Sequence, residues 1–171
     1  THTLLYYSTD LSSNYEPTRT LEIMIDTEVP TAEAVANGTL GDNAWFVSAA
    51  TVTFEADDDT SGFSHIMYRL EGDAWEALDG MVLTVDDDGA HTLEYYALDV
   101  AGLEGEIQTI GFMVDVSAPV TVSSVDGYTV TLAATDSGSG VSATMYRIDG
   151  GDWQTYTEPF EVTGSGNHTV E

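Results

Sequence analysis

The residues with the most chemistry to offer are aspartates, gathered in turn-like segments. Asp26 precedes a proline-bearing joint, Asp57 and Asp59 lie in Asp57-Asp58-Asp59-Thr60-Ser61-Gly62, and Asp99 stands just ahead of Ala101-Gly102. Calcium takes about six to eight hard oxygen ligands at flexible angles, which clustered carboxylates and loop carbonyls supply. Asp26, Asp57, Asp59 and Asp99 are therefore candidate calcium ligands, and Asp115 and Asp136 are their counterparts further along the chain. The competing reading is structural: the same acids could end strands and cap turns, because an Asp side chain accepts bonds from nearby backbone amides. Asp86-Asp87-Asp88-Gly89 resembles the start of a calcium loop but lacks the later ligands and closing Glu of an EF-hand, and reads as a solvated turn.

Other side chains recur in sets. His2, His91 and His168 each precede a strand-like run, a recurrence that fits fixing a turn better than zinc, which needs several ligands in one place. Tyr68-Arg69 with Trp75, and Tyr146-Arg147 with Trp153, put a guanidinium and an indole within stacking reach; the functional alternative is an aromatic platform for sugar. Asn37-Gly38-Thr39 and Asn167-His168-Thr169 match the N-glycosylation acceptor pattern, making Asn37 and Asn167 candidate modification sites. No nucleophile elbow or metalloprotease motif is present, and paired acids for glycoside hydrolysis would need a cleft that a small β unit seldom forms. The chain reads as a non-enzyme.

These sets repeat because the chain does. His2-Thr3-Leu4-Leu5-Tyr6-Tyr7-Ser8-Thr9-Asp10 returns 89 residues later as His91-Thr92-Leu93-Glu94-Tyr95-Tyr96-Ala97-Leu98-Asp99 and opens again as His168-Thr169-Val170-Glu171. Met24, Asp26 and Pro30 fall on Met113, Asp115 and Pro119, while Val52-Thr53, Tyr68-Arg69 and Trp75 fall on Val130-Thr131, Tyr146-Arg147 and Trp153 at an offset of 78. Self-similarity at a fixed period means that one structural unit has been copied. The expected divisions are residues 1–26, the last strands of one copy; 27–115, a complete copy; and 116–171, a copy lacking its last strands. The chain opens in mid-repeat, so it reads as a window cut from a longer secreted or surface-anchored protein.

Composition narrows the partners. The 171 residues carry 30 acids against three arginines and no lysine, a formal net charge of −27. Such a field repels phosphate, which argues against nucleic acid and anionic membrane as partners. Two compatible readings of the acidity remain: a surface kept hydrated in concentrated salt, favoured by the missing lysine, and oxygen ligands for divalent cations. Aromatic and β-branched residues are too plentiful for disorder. With no cysteine there is no disulfide framework, and no apolar run reaches the roughly 18 residues of a membrane helix.

Within 27–115 the apolar residues recur with period two, as in strands half buried and half wet. Val52, Phe54 and Ala56 alternate with Thr51, Thr53 and Glu55, and Ile110, Phe112 and Val114 repeat the pattern. Seven strands are predicted near 33–37, 50–57, 64–71, 74–78, 81–85, 91–99 and 105–115, with no helix of any length. Seven short strands separated by frequent turns predict a two-sheet sandwich. Pro30 and Pro119 restrict the residue before them to extended geometry, so successive sandwiches should follow end to end.

The string from Asp136 through Tyr146-Arg147-Ile148-Asp149-Gly150-Gly151-Asp152-Trp153, with Glu158-Pro159-Phe160 and Gly166-Asn167-His168-Thr169-Val170-Glu171, resembles the immunoglobulin-like repeat of large bacterial and archaeal surface proteins, a type labelled after a spirochaete outer-membrane protein. Residues 59–75 and 89–102 match it again. The resemblance covers nearly the whole chain and implies an all-β fold of tandem immunoglobulin-like sandwiches arranged as a rod. It is specific for the unit and says little about function, since such repeats occur in adhesins, surface layers, stalks and tails of secreted carbohydrate-active enzymes. The earlier copy lacks the second glycine of Gly150-Gly151 and the Pro159-Phe160 step, which predicts a different turn there.

The expectation is a non-enzymatic extracellular or cell-surface rod or filament, stabilised by calcium, by salt or by both, from a salt-adapted prokaryote. In that topology the entering linker meets the loop after the second strand and the loop between the last two strands, so Asp26, Asp57, Asp59 and Asp99 should converge. The expected partners are neighbouring copies of the same protein or adjoining units of the same polypeptide, completing the open sandwich at each end by strand addition. The alternative is a ligand-binding accessory module, an adhesin or a carbohydrate-binding appendage of a secreted hydrolase, which exposed tryptophans in a shared groove would favour.

Overall fold

Alternation of apolar and polar side chains along extended backbone makes an all-β protein, about half of it strand, in several sheets. The computed structural model describes residues 1–171, and its one helical feature is a three-residue 3₁₀ turn at Asp42–Ala44. The chain opens with an antiparallel pair, β1 (His2–Tyr6) and β2 (Arg19–Ile23). The central segment follows with β3 (Thr31–Asn37), β4 (Trp45–Phe46), β5 (Ala50–Asp57), β6 (Phe63–Leu70), β7 (Glu76–Ala77), β8 (Val82–Val85), β9 (Gly89–Asp99) and β10 (Gln108–Val114). Last come β11 (Val120–Asp126), β12 (Thr129–Thr135), β13 (Met145–Tyr146), β14 (Gln154–Thr155) and β15 (Phe160–Glu161).

Each of the seven expected strands of the central segment is present within a few residues. They form a three-stranded sheet β3-β5-β8 and a five-stranded sheet β4-β10-β9-β6-β7. The addition is β4, which joins the larger sheet by parallel pairing with the end of β10. Ala50, Val52 and Phe54 of β5 and Val85 of β8 supply the buried side of one sheet; Ile66, Leu93, Tyr95, Ala97, Phe112 and Val114 supply that of the other. They form one cluster, with the Phe54 and Tyr95 rings 5.3 Å apart edge to face. Full burial of a side chain of this size stabilises by about 1.5–3 kcal/mol. Here lies the core: eleven of the fourteen buried residues belong to this cluster.

Pairings in the flanking segments repeat those of the centre. His2↔Ile23 and Tyr6↔Arg19 correspond to His91↔Phe112 and Tyr95↔Gln108, and Val120↔Thr135 and Asp126↔Thr129 correspond to Thr31↔Asp57 and Asn37↔Thr51. Tyr146↔Gln154 corresponds to Tyr68↔Glu76. Burial does not repeat. Leu93 is 0% exposed and Tyr95 4%, whereas the matching Leu4 and Tyr6 are 48% and 45% exposed, because β1 and β2 pair only with each other and no second sheet covers them. Val125 of β11 is exposed too, where its counterpart Ala36 packs against the core.

The turn expected to differ between copies is the same in both. Glu71 and Gly72 have φ of 52° and 78°, Asp149 and Gly150 have 53° and 71°, and each turn closes with an amide bond of 2.9 Å, from Asp73 to the Leu70 carbonyl and from Gly151 to that of Ile148. Positive φ at both central positions is the type I′ hairpin turn that matches strand twist. The second glycine falls one residue past these positions, where Asp73 serves as well.

Candidate metal centre

Three carboxylates meet where the chain enters the central segment. Asp26 belongs to the connection between β2 and β3, Asp58 is the first residue after β5, and Asp99 ends β9. One oxygen from each lies within 4.8 Å of the others. The acid from the aspartate run is thus Asp58. Asp57 and Asp59, expected at this point, are exposed and outside the group, and Asp57 lines a shallow cleft with Glu33, Glu55 and Glu106. The reason is the pleat: Ala50, Val52, Phe54 and Ala56 face inward along β5, and carrying that alternation one step further turns Asp58 in and Asp57 out.

Backbone amides aim all three groups. Asp58 Oδ1 accepts from the amides of Thr60, Ser61 and Gly62 at 3.3, 2.9 and 2.7 Å. Asp26 Oδ1 accepts from Glu28 N–H at 3.0 Å and its Oδ2 from Ser61 N–H at 2.9 Å. Asp99 Oδ1 accepts from Leu103 N–H at 2.7 Å. Ser61 ties the segments together, since its amide serves Asp26 and Asp58 while its hydroxyl accepts the Ala101 amide at 3.2 Å. Hydrogen bonding from Ser61 holds the Asp26 carboxyl below the usual carboxylate range. Asp99 is 2% exposed, and its Oδ2 is sealed from solvent without a hydrogen-bond partner.

The neighbouring joint shows the same local bonding. Ser139 N–H donates to Asp115 Oδ2 at 2.8 Å, as Ser61 does to Asp26, and Asp136 Oδ1 accepts from Gly138 and Gly140 at 3.0 and 2.8 Å, as Asp58 does from its loop. Asp115 Oδ1 is buried without a partner, and a Cβ at position 138 would lie 2.4 Å from Asp115 Cγ, so glycine leaves the room this carboxylate occupies. Asp88 crosses this joint from the central segment, accepting from Val116 N–H and Ser137 Oγ, both at 2.7 Å. Bonds from the Ser117 and Ser137 hydroxyls and the Val116 amide pull its pKa to about 2. At the front of the chain Asp10, the counterpart of Asp99, accepts from Asn14 N–H at 2.9 Å, the same four-residue bond.

Two of the three recurrent histidines, His91 and His168, bond turn residues. His91 Nε2 meets the Asp87 carbonyl at 2.8 Å and its Nδ1 lies 3.3 Å from Glu71; His168 Nδ1 meets Asp149, the counterpart of Glu71, at 2.7 Å. Arg69 stacks 4.6 Å over Trp75, and Arg147 4.8 Å over Trp153. Trp75 also packs edge to face on Tyr96, and none of the three principal clefts is lined by tryptophan. Asn37 and Asn167 are both exposed. What the spacing of residues missed is Ser61, the hinge of the acid cluster; a counterpart serine at position 139 was the available signal.

No helix is long and apolar enough to cross a membrane. No protein-family model matches the chain, and no curated protein matches it either, so the family resemblance rests on the motifs alone.

Proposed function

We propose that the chain is a stretch of a non-enzymatic extracellular or cell-surface rod, built from tandem immunoglobulin-like sandwiches stacked end to end and stabilised by bound cations and by salt. The observation that carries this reading is the recurrence of strand register: β1–β2 repeats β9–β10, and β11–β12 repeats β3–β5, pair for pair. One unit copied along a chain gives a quasi-one-dimensional body in which each copy touches its neighbours. The central segment, with two sheets around one core, is the whole unit, and its flanks are parts of the copies before and after. Their exposed apolar residues on the faces that the core covers in the whole unit, Leu4 and Leu21 on one side and Val125 on the other, are covered by adjoining units of the same polypeptide or by neighbouring copies of the protein. Asp88 supports a fixed joint, because from the central segment it accepts from Val116 and Ser137 of the following one. A carbohydrate-binding appendage fits less well, since a guanidinium stacks on one face of each indole and the exposed Trp153 lines no cleft with Trp45 or Trp75.

Small-angle scattering from polypeptides carrying one, two and three added copies of residues 27–115 tests the rod. Its maximum dimension should grow by a constant increment per copy. Growth as a flexible string, or collapse into a compact particle, would overturn it.

A further inference from the structure

The acid cluster at the entry of the central segment lacks any positive charge from the protein. Arg19, Arg69 and Arg147 are the only basic side chains apart from histidine, and they pair with Glu16, Glu94 and Glu171. Three carboxylates with oxygens within 4.8 Å of one another repel strongly where one of them is shielded from water. Asp99 makes the case sharp. It is 2% exposed, one oxygen is bonded to Leu103 N–H, and the other is enclosed with no donor in reach. Leaving a buried charged acceptor unmatched costs more than an ordinary hydrogen bond returns. A bonded amide network fixes one oxygen of Asp58, one of Asp99 and both of Asp26, and the second oxygen of Asp58 and of Asp99 accepts no hydrogen bond from the protein. That is the arrangement of a site built before its ligand arrives.

We infer that Asp26, Asp58 and Asp99 bind one calcium ion, which locks the entering linker onto the two loops that follow β5 and β9. The donors are all oxygen, with no histidine or cysteine in the group, which disfavours zinc and other metals that prefer nitrogen or sulfur. Between the hard cations, calcium fits because it accepts carboxylates at irregular angles and completes its shell with loop carbonyls and water, whereas magnesium demands a near-ideal octahedron. The ion neutralises most of the cluster's charge and satisfies Asp99 Oδ2. It also joins three segments that only a few hydrogen bonds, from Ser61, Thr60 and Val100, otherwise connect. The inference deepens the rod reading by naming what stiffens a joint, yet the site lies wholly within residues 26–99 and stands or falls without any added copy.

Calorimetric titration of the 171-residue chain with calcium chloride tests it, run in about 1 M sodium chloride so that loose condensation on the acidic surface is screened. One saturable site is expected. Asp58→Asn and Asp99→Asn should each weaken it by about tenfold or more, since even indirect supports of a metal site are worth that much. Asp57→Asn and Asp59→Asn remove the same charge and should leave the affinity unchanged. If Asp99→Asn fails to fold, Asp58→Asn, at a half-exposed position, still decides the matter. No saturable site, or an equal loss in all four variants, would overturn the inference, and magnesium binding as tightly as calcium would overturn the choice of ion. Calcium binding with a flexible scattering profile would leave the site in place and remove the rod.

Discussion

Glu71 and Asp149 hold φ of 52° and 53°, a left-handed backbone that costs a non-glycine residue about 1–2 kcal/mol. Their side chains offset that cost: Glu71 accepts the Thr92 amide and Asp149 the Thr169 amide, both at 2.9 Å, and they face His91 and His168 respectively. Glu71→Ala keeps the strained backbone and loses the bond, so it should be less stable than Glu71→Gly by about 1 kcal/mol in urea unfolding. Equal losses would mean that the carboxylate alone matters there. Asp88 makes a pH prediction. Its folded carboxyl titrates near 2 against 3.8 for the free group, so the stability it lends the following joint is fully present above pH 3.8 and is lost as pH falls through about 2. Amide shifts of Val116 and Ser137 followed by NMR should move with a midpoint near 2; a midpoint near 3.8 would show that the clamp does not form. Sequence reading expected Asp26, Asp57, Asp59 and Asp99 to converge, and the carboxylates that come together are Asp26, Asp58 and Asp99. Three consecutive aspartates carry no label for which one turns inward, although the inward parity of β5, continued past its end, names Asp58.

Strands with a clear period of two were legible, as in β5, where Ala50, Val52 and Phe54 face inward and Thr51, Thr53 and Glu55 outward. The two residues of β4 were not legible. They are too short for a pattern and owe their place to parallel pairing with β10 and to Phe46 packing on the core. A paired substitution measures how much of a hairpin's stability comes from its cover. Leu93→Ala should cost about 2–5 kcal/mol, as for a large-to-small change in a packed core. Leu4→Ala, at the equivalent place in β1–β2, should cost no more than about 0.5 kcal/mol in this chain, as surface changes do. Within a polypeptide that carries the preceding copy, Leu4→Ala should become as costly as Leu93→Ala. A close approach at the entry of the segment gives another test. A Cβ on Gly105 would lie 2.5 Å from the Pro30 carbonyl oxygen, so Gly105→Ala must push the linker away. Thermal melting should register a loss of about 1–3 kcal/mol, the usual cost of overpacking. An unchanged midpoint would mean that the linker is free to move.

A net charge of −27 on 171 residues acts on the molecule as a whole. At about 1 M salt the screening length falls to roughly 3 Å, so repulsion between exposed acids nearly vanishes. Unfolding midpoints measured in chelator should therefore rise steeply through a sodium chloride series, and a flat response would remove salt adaptation as the reason for the acidity. Copying was the most legible property of all, because it is written in residue identity at fixed offsets. Burial was not legible, since identical residues such as Leu4 and Leu93 differ in exposure according to what lies across from them. The central claim, that the flanks are pieces of the unit seen whole at 27–115, can be tested by finishing one of them. Residues 168–171 correspond to 91–94, and Val170 already bridges to Ile148 as Leu93 pairs with Leu70. Extending the chain after Glu171 with a second copy of residues 95–115 should therefore supply the missing hairpin. Hydrogen exchange at Leu132, Ala134 and Tyr146 should then slow to the rate of their counterparts Phe54, Ala56 and Tyr68, and a second cooperative melting transition should appear. Unaltered exchange at those residues, with the added segment itself unprotected, would contradict the account.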